Sequence, residues 1–255
     1  MRRRVLLAAL AAAGHLAAAR AASPPGSPSG SSSVPVPVPD GFAFAPEPLD
    51  AVRAAVGRRS LSLMTIGGRD IAHEAGAAAP NAPPAYPSAL LARLSAALPA
   101  VSVGLNVLAI ARSEIPEFEQ QLARGLSRFH PDLVIWGAGG TAAARGDDLA
   151  SFHAQLSSAI QAVGGAGANL ILLTPQYAPM LARLMNLPPY RSAVLQEAED
   201  ANIPVLDRYE LMRFWSENHV LDLDAAKPDE QMAVARTVHD WVARLLTEGI
   251  LRAIT

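Results

Sequence analysis

Short apolar runs alternate with longer amphipathic stretches from residue 61 to the end of the chain. The short runs are typical of buried strands, and stretches with apolar residues three or four positions apart are typical of helices that cover a core. We expect strands at residues 61–66, 101–107, 132–136, 170–174 and 204–206. We expect helices at residues 89–98, 116–129, 149–163, 178–201 (interrupted at Pro188 and Pro189), 209–217 and 230–248. Strands that alternate with helices indicate parallel pairing, so the pattern predicts an α/β fold, a three-layer α/β/α sandwich with a five-stranded parallel sheet.

The first forty residues have a different composition from the rest. Three arginines after Met1 precede an apolar stretch at residues 5–19 and small residues around Ala21, which is the arrangement of an export signal. The apolar stretch is short for a membrane span. Residues 23–40 are rich in Pro, Ser and Gly and indicate a flexible linker. We therefore expect a signal peptide at 1–22, a linker at 23–40, a folded domain at 41–255, and an exported protein, periplasmic or secreted, with no membrane span after cleavage.

Composition excludes several kinds of chemistry. The 255 residues include no cysteine, which excludes disulfides, thiolate metal sites and a cysteine nucleophile. The formal net charge is −2, with no basic run after the first four residues, which argues against nucleic-acid binding. Residues 137–142 fit G-x-G-x-x-A, but the next predicted strand does not end in the acidic residue that a dinucleotide site requires. We expect a monomer with no cofactor and no metal.

Four segments at the carboxyl ends of the predicted strands carry a resemblance to a known family. They are Gly-Gly-Arg-Asp at 67–70, the stretch after Val107, Gly-Ala-Gly-Gly-Thr-Ala at 137–142, and Asp-Leu-Asp-Ala at 222–225. Together with Pro-Asp-Leu-Val-Ile-Trp at 131–136, their order resembles that of the SGNH (GDSL-type) hydrolases. The resemblance implies an SGNH-hydrolase, flavodoxin-like fold. In that family, a serine attacks an ester, backbone and asparagine groups hold the oxyanion, and an Asp-x-x-His segment supplies the base.

This chain departs from the family pattern at the positions of catalysis. Arg69 stands at the position of the serine, Thr141 at the position of the asparagine, and Ala225 at the position of the histidine, whereas Asp222 keeps the aspartate. A guanidinium is always protonated and cannot attack an ester, and alanine cannot accept a proton. The resemblance therefore predicts a pseudoenzyme with no intact catalytic triad, which binds a carbohydrate, another cell-envelope ligand or a partner.

Two roles are open for Arg69. It can form an ion pair with Asp222 that seals the old cleft, with Asp70 or Asp224 as the next candidate acceptors. It can instead point outward and bind the carboxylate of a ligand such as an acidic sugar. In either case, the expected cleft residues are Arg69, Asp70, His73, Thr141, Tyr177 and Asp222.

The alternative function is catalytic. An active esterase or acylhydrolase, of the carbohydrate deacetylase type, would need rearranged groups such as Thr141, His73 or His219. Trp136 and Trp241 fall in a buried strand and on the inner side of the last helix, and we expect them to pack in the core rather than to form a sugar platform.

Overall fold

The computed structural model describes residues 37–39, 42, 44, 48–68, 71, 85–110 and 115–255. Residues Pro35–Thr255 form one compact unit. The predicted signal peptide and most of the predicted linker lie outside the described residues, so both stay predictions.

The described residues contain one sheet of five strands. The strands are β1 (Ser60–Gly67), β2 (Ser102–Ala109), β3 (Leu133–Gly137), β4 (Asn169–Leu173) and β5 (Val205–Leu206). Their order is β2-β1-β3-β4-β5, and every neighbouring pair is parallel. The predicted five-stranded parallel sheet is therefore confirmed.

Nine helices precede, connect or follow these strands in the described part of the chain. They are α1 (Asp50–Gly57), α2 (Tyr86–Ala97), α3 (Ile115–Phe129), α4 (Gly140–Arg145), α5 (Leu149–Gly165), α6 (Pro179–Leu184), α7 (Leu187–Asp200), α8 (Arg208–Glu217) and α9 (Pro228–Ile254). The break in the predicted helix at 178–201 falls at Met185 and Asn186, before the two prolines. Pro188 and Pro189 lie in the first turn of α7, where a missing N–H costs the helix no hydrogen bond.

Each face of the sheet is covered by helices, as the alternating pattern predicts. Met64 and Val134 of the strands face a cluster that includes α3, α5 and α7, whereas Leu63 and Ile135 face a cluster that includes α1, α2 and α9. Burying one such side chain contributes about 1.5–3 kcal/mol. The two clusters confirm the three-layer sandwich.

The tryptophans pack inside the protein. Trp136 is 4% exposed and stacks on Phe118 at 4.8 Å between ring centres, and Trp241 packs against Trp215 at 6.2 Å. Core packing of Trp136 and Trp241 is therefore confirmed.

The chain before α1 contacts the last two helices. Nε1 of the fully buried Trp215 in α8 donates a hydrogen bond of 2.6 Å to the carbonyl oxygen of Pro37, and Nη2 of Arg252 in α9 donates one of 2.6 Å to the carbonyl oxygen of Phe44. Pro37 belongs to the predicted linker, so the last residues of that segment lie against the domain. No helix in the described part of the chain has both the length and the apolar character needed to cross a membrane.

Candidate functional site

The strand order places a cleft at the carboxyl edge of the sheet. The chain passes from β1 to β2 on one side and then crosses to β3 on the other side of β1, and parallel sheets bind ligands at such a switch point. A cleft of about 410 Å³ opens there, beyond Gly68 and Gly137. Its volume is in the range of small-molecule sites. We call it the switch-point cleft, and its described lining residues are Gly68, Gly137, Gly140, Thr141, Ala144, Gln176, Leu181, Met185, Leu187 and Arg208.

A buried guanidinium lies at the floor of this cleft. Arg208 is the first residue of α8, is only 5% exposed, and its Nε donates a hydrogen bond of 2.6 Å to the carbonyl oxygen of Thr174. A Cβ atom at Gly137 would lie 3.0 Å from Nη2 of Arg208 and 3.8 Å from the carbonyl oxygen of Ile66. The side chain therefore starts beside β5 and ends where β1 and β3 end, in space that the glycine leaves open.

Sequence reasoning missed Arg208. The residue belongs to none of the segments that resemble the family. Its position in the sequence could have indicated a role. Asp207 and Arg208 directly follow the last predicted strand and so lie at the edge of the sheet where ligands bind.

The residues beside Arg208 form a set of mutual contacts that we call the β4–β5 network: Thr174, Arg191, Asp207, Tyr209 and Glu210. The Thr174 hydroxyl is fully buried, donates to Asp207 Oδ1 at 2.8 Å, and accepts from the backbone N–H of Tyr209 at 3.0 Å. Arg191 Nε donates to both carboxylate oxygens of Asp207 at 3.1 Å. Asp207 also caps α8 by accepting from the Glu210 N–H at 3.3 Å. The Asp207 carboxylate is thus committed to structural contacts.

The hydrogen bond to Asp207 raises the pKa of Arg191 above its ordinary value. Arg191 also lies over the Tyr209 ring, 5.4 Å from its centre. The ion pair therefore helps to hold α7 to the start of α8.

Thr141 lies in the switch-point cleft, on the short helix α4. That helix begins after Gly139, whose φ is +86° and where a Cβ would lie 2.9 Å from Cγ of Pro175. Only glycine fits this turn without strain, because both the backbone angle and the space exclude a side chain. The turn aligns the start of α4 with the carboxyl end of β3.

Three of the predicted cleft residues, Arg69, Asp70 and His73, lie outside the described residues. The proposed ion pair between Arg69 and Asp222 therefore stays a prediction. Asp222 itself is exposed, and its Oδ1 accepts a hydrogen bond of 3.1 Å from the N–H of Asp224.

The loop at residues 219–227, which we call the pre-α9 loop, contains the segment that resembles Asp-x-x-His. Ala225 is buried at 5% exposure, and its carbonyl oxygen accepts from Gln231 Nε2 at 2.8 Å. Asp224 accepts from the N–H of Met180 at 3.1 Å and from Arg183 at 3.3 Å, so the loop is tied to α6. A methyl group therefore lies where the resemblance places the base.

A second cleft of about 180 Å³ lies between the pre-α9 loop, α9 and the chain after β4. Tyr177, Asp222 and Ala225 line it, together with His239, which is 8% exposed. Gln176 and Leu181 line both this cleft and the switch-point cleft, so the two are neighbours.

The histidines differ in their relation to the clefts. His239 stacks on Tyr86 with 6.5 Å between ring centres, at the wall of the second cleft. Sequence reasoning gave it no role. His219 is exposed and is not among the described residues that line either cleft. Within the described ranges, no group of three or more His, Asp or Glu side chains is arranged to hold a metal ion.

The sheet order, the sandwich and the cleft at the switch point define an SGNH-hydrolase type of fold. Residues 35–255 match the model of the non-GDSL lipase-like family. The chain therefore belongs to this family, and the resemblance to SGNH (GDSL-type) hydrolases is confirmed.

Solved structures agree with this assignment at the level of the fold. The chain is similar to the acetylxylan esterase Axe2 from Geobacillus stearothermophilus, with 19% identity, a TM-score of 0.55, and coverage of 76% of this chain and 94% of that one. It is also similar to the acetyl xylan esterase AlAXEase (15% identity, TM-score 0.57, 73% and 98% coverage). TesA is a third similar structure (18% identity, TM-score 0.53, 73% and 98% coverage). A comparison with curated proteins finds no match.

Proposed function

We propose that this chain is an exported protein that binds a cell-envelope carbohydrate in the switch-point cleft and does not hydrolyse esters. One observation carries the proposal. The described residues that line the cleft include no serine, cysteine, histidine or carboxylate, and the one hydroxyl among them belongs to Thr141.

A hydroxyl needs a base within hydrogen-bond reach to become a nucleophile. Ala225, at the position that resembles the family's histidine, offers a buried methyl group. Removing one member of a catalytic triad lowers turnover on the order of 10⁴- to 10⁶-fold. The loss of the base alone therefore supports a binding role.

The carbohydrate is supported by the lining and by the similar structures. Thr141 and Gln176 can hydrogen-bond to hydroxyl groups, while Leu181 and Met185 offer an apolar surface to a sugar ring. Two of the similar structures are acetylxylan esterases. Export is supported by the leader-like sequence at residues 1–22.

An active esterase is the second candidate. It is favoured by the activity of the similar structures and by His239, which lines the cleft next to the one that holds Thr141. This candidate requires Thr141 as the nucleophile and an imidazole as the base. The base would be His239, His73 or His219.

Hydrolysis of p-nitrophenyl acetate and butyrate by the chain from residue 23 separates the two candidates. We expect no turnover above the rate of the buffer and no labelling by a fluorophosphonate probe. Turnover and labelling that both disappear in Thr141→Val would establish the esterase instead. His239→Gln and a variant at the exposed His219 distinguish which imidazole assists.

The positional assignment has its own test. Arg69→Ser combined with Ala225→His rebuilds a hydroxyl and an imidazole at the two positions, and we expect measurable hydrolysis of p-nitrophenyl acetate from the pair but from neither single variant. Equal activity of the single and double variants would show that these positions do not face each other.

A further inference from the structure

The end of the predicted linker lies on a cluster of apolar side chains from the last two helices. We call it the tryptophan cluster, and its buried members are Leu211, Met212, Trp215, Val238 and Trp241. Phe42 packs against the same cluster, and Trp215 Nε1 donates a hydrogen bond of 2.6 Å to the carbonyl oxygen of Pro37. An indole N–H can only donate, and Trp215 is fully buried, so Pro37 supplies the acceptor that this group needs.

The sequence around Pro37 favours one backbone conformation. Valine and proline alternate at residues 34–39, which we call the Val-Pro repeat. Proline fixes its own φ near about −65° and confines the residue before it to extended conformations, so the repeat favours a polyproline II strand. Such a strand has no internal hydrogen bonds, which leaves its carbonyl oxygens free to accept from a partner. Because the strand is restricted before it binds, docking it costs little conformational entropy.

The contact at Trp215 is of the kind by which proteins bind proline-rich strands, which lie in grooves lined by aromatic side chains. Pro37 and Val38 are exposed and belong to no helix, strand or turn. This part of the repeat is therefore held through its backbone rather than by burial of its side chains. Trp241 packs against Trp215 with 6.2 Å between ring centres, so a second aromatic ring supports the donor.

The chain that follows the repeat keeps it at this site. The N–H of Phe42 donates to the carbonyl oxygen of Pro39 at 3.0 Å, and Phe42 packs against the tryptophan cluster. Phe44 is buried, and its carbonyl oxygen accepts from Arg252 at 2.6 Å. These contacts fix the chain a few residues from Pro37. The repeat of the same chain therefore meets the cluster at a much higher effective concentration than a repeat on another chain.

We propose that the tryptophan cluster is a binding site for an extended Val-Pro strand, and that residues 34–39 of the same chain occupy it as a strap. The strap closes this face of α8 and α9 to proline-rich segments of other chains. It also shortens the free part of the predicted linker from residues 23–40 to residues 23–33. The strap is independent of the proposed carbohydrate binding, which concerns a different part of the domain.

Hydrogen exchange of the Trp215 indole N–H tests the strap in the chain from residue 23. The sequence has three tryptophans, so ¹⁵N-labelled tryptophan gives three indole signals. The triple variant Pro35→Gly, Pro37→Gly, Pro39→Gly keeps every backbone carbonyl but removes the conformational restriction. We expect the Trp215 indole N–H to exchange about 10- to 100-fold faster in it, because each lost proline adds entropy to the undocked strand. Trp136, in another core cluster, should keep its rate.

The matched control makes three proline replacements in the same linker but outside the repeat. In the variant Pro24→Gly, Pro25→Gly, Pro28→Gly, we expect exchange of the Trp215 indole N–H to stay within about twofold of the unchanged chain. Equal acceleration in the two triple variants, or acceleration in neither, overturns recognition of the Val-Pro repeat.

A spin label on Val38→Cys reports on the strap itself. The sequence has no cysteine, so the label reacts at this position alone, and Val38 is exposed enough to carry it. Trp215→Phe keeps an aromatic ring but removes the indole donor, and we expect the label to become as mobile as one on Ser29→Cys. Trp241→Phe changes the neighbouring ring of the cluster and should leave the label immobilised.

A label that stays immobilised in folded Trp215→Phe overturns the role of the indole. If Trp215→Phe does not fold, the two triple proline variants decide, because they leave every residue of the tryptophan cluster unchanged.

Dilution identifies the occupant of the site. A strap from the same chain gives an indole exchange rate and a label mobility that do not change on dilution, and light scattering then gives the mass of a monomer. Protection that falls on dilution, together with the mass of a dimer, would place the repeat on the cluster of a second copy and overturn occupancy by the same chain.

Discussion

The β4–β5 network and the pre-α9 loop lie near the same edge of the sheet but hold their polar groups in different ways. In the network, the Asp207 carboxylate receives hydrogen bonds from a hydroxyl, a guanidinium and a backbone amide. In the loop, the side chain of Asp222 is exposed, and the one hydrogen bond described for its carboxylate comes from the N–H of Asp224, two residues further on. The first set supports the fold, whereas the second contributes little to it. A position can therefore resemble a catalytic motif and still be one whose change the fold tolerates.

Replacing the aspartate of each region should give the largest difference in stability between the two regions. Asp207→Ala removes the acceptor of the Thr174 hydroxyl and the nearer carboxylate partner of Arg191, which keeps only Glu210 at 3.5 Å. We expect a loss of about 2–4 kcal/mol in the free energy of unfolding, since the Arg191–Asp207 pair is only partly exposed. Asp222→Ala should change it by less than about 0.5 kcal/mol. Urea unfolding measures both, and similar losses would show that the loop is as structural as the network.

The two threonines at the strand ends give the next largest contrast. Thr174→Val removes the acceptor of the buried Tyr209 N–H and one donor to Asp207, so we expect a loss of about 1–3 kcal/mol. Thr141→Val, at the cleft surface, should cost less than about 0.5 kcal/mol. If Thr141→Val proves the more destabilising, then its hydroxyl has a structural role in α4.

A smaller effect is expected where the pre-α9 loop meets α6. Asp224→Ala removes the acceptor of the Met180 N–H and the partner of Arg183, but both contacts are exposed, so the loss in stability should be about 0–1 kcal/mol. The effect on α6 should be easier to detect than the effect on overall stability. We expect hydrogen exchange of the α6 amides to become faster. Unchanged exchange in α6 would mean that other contacts hold this helix.

The smallest expected effect is on the titration of Tyr209. Burial raises the pKa of its hydroxyl, and the nearby Tyr177 adds to the rise. A tyrosine whose pKa is higher in the folded than in the unfolded protein binds its proton more tightly when folded, so its contribution to stability is complete below about pH 10 and is lost as the pH rises through the folded pKa. The difference in absorbance titration near 295 nm between the unchanged protein and Tyr209→Phe measures the shift. A midpoint equal to that of a free tyrosine would mean that water reaches this part of the network.

The fold was predictable because buried strands and amphipathic helices leave different patterns of apolar residues in the chain. The five strands, their parallel pairing and the three layers followed from that pattern. The short helix α4 did not, because its glycine and alanine residues read as a loop. The long predicted helix at 178–201 divides before its prolines instead of at them, since Pro188 and Pro189 begin α7 rather than interrupt it.

The candidate site was predictable only where a motif exists. Thr141, Tyr177, Asp222 and Ala225 were selected by their place in segments that resemble the family, and the structure divides them between two adjacent clefts. Arg208 carries no such mark. Its guanidinium reaches the cleft from α8 past the end of β4, and the position of a long side chain across neighbouring strands is not encoded in local periodicity.

The hydrogen bond between Trp215 and Pro37 bears on how far the N-terminus can be shortened without a loss of stability. A truncation to residue 41 removes no helix or strand of the described chain, yet it takes the acceptor away from a fully buried indole N–H. We therefore expect a version of this domain that starts ahead of Pro37 to be about 1–3 kcal/mol more stable than one that starts at residue 41, although the proline-rich composition of this stretch would suggest that it is dispensable.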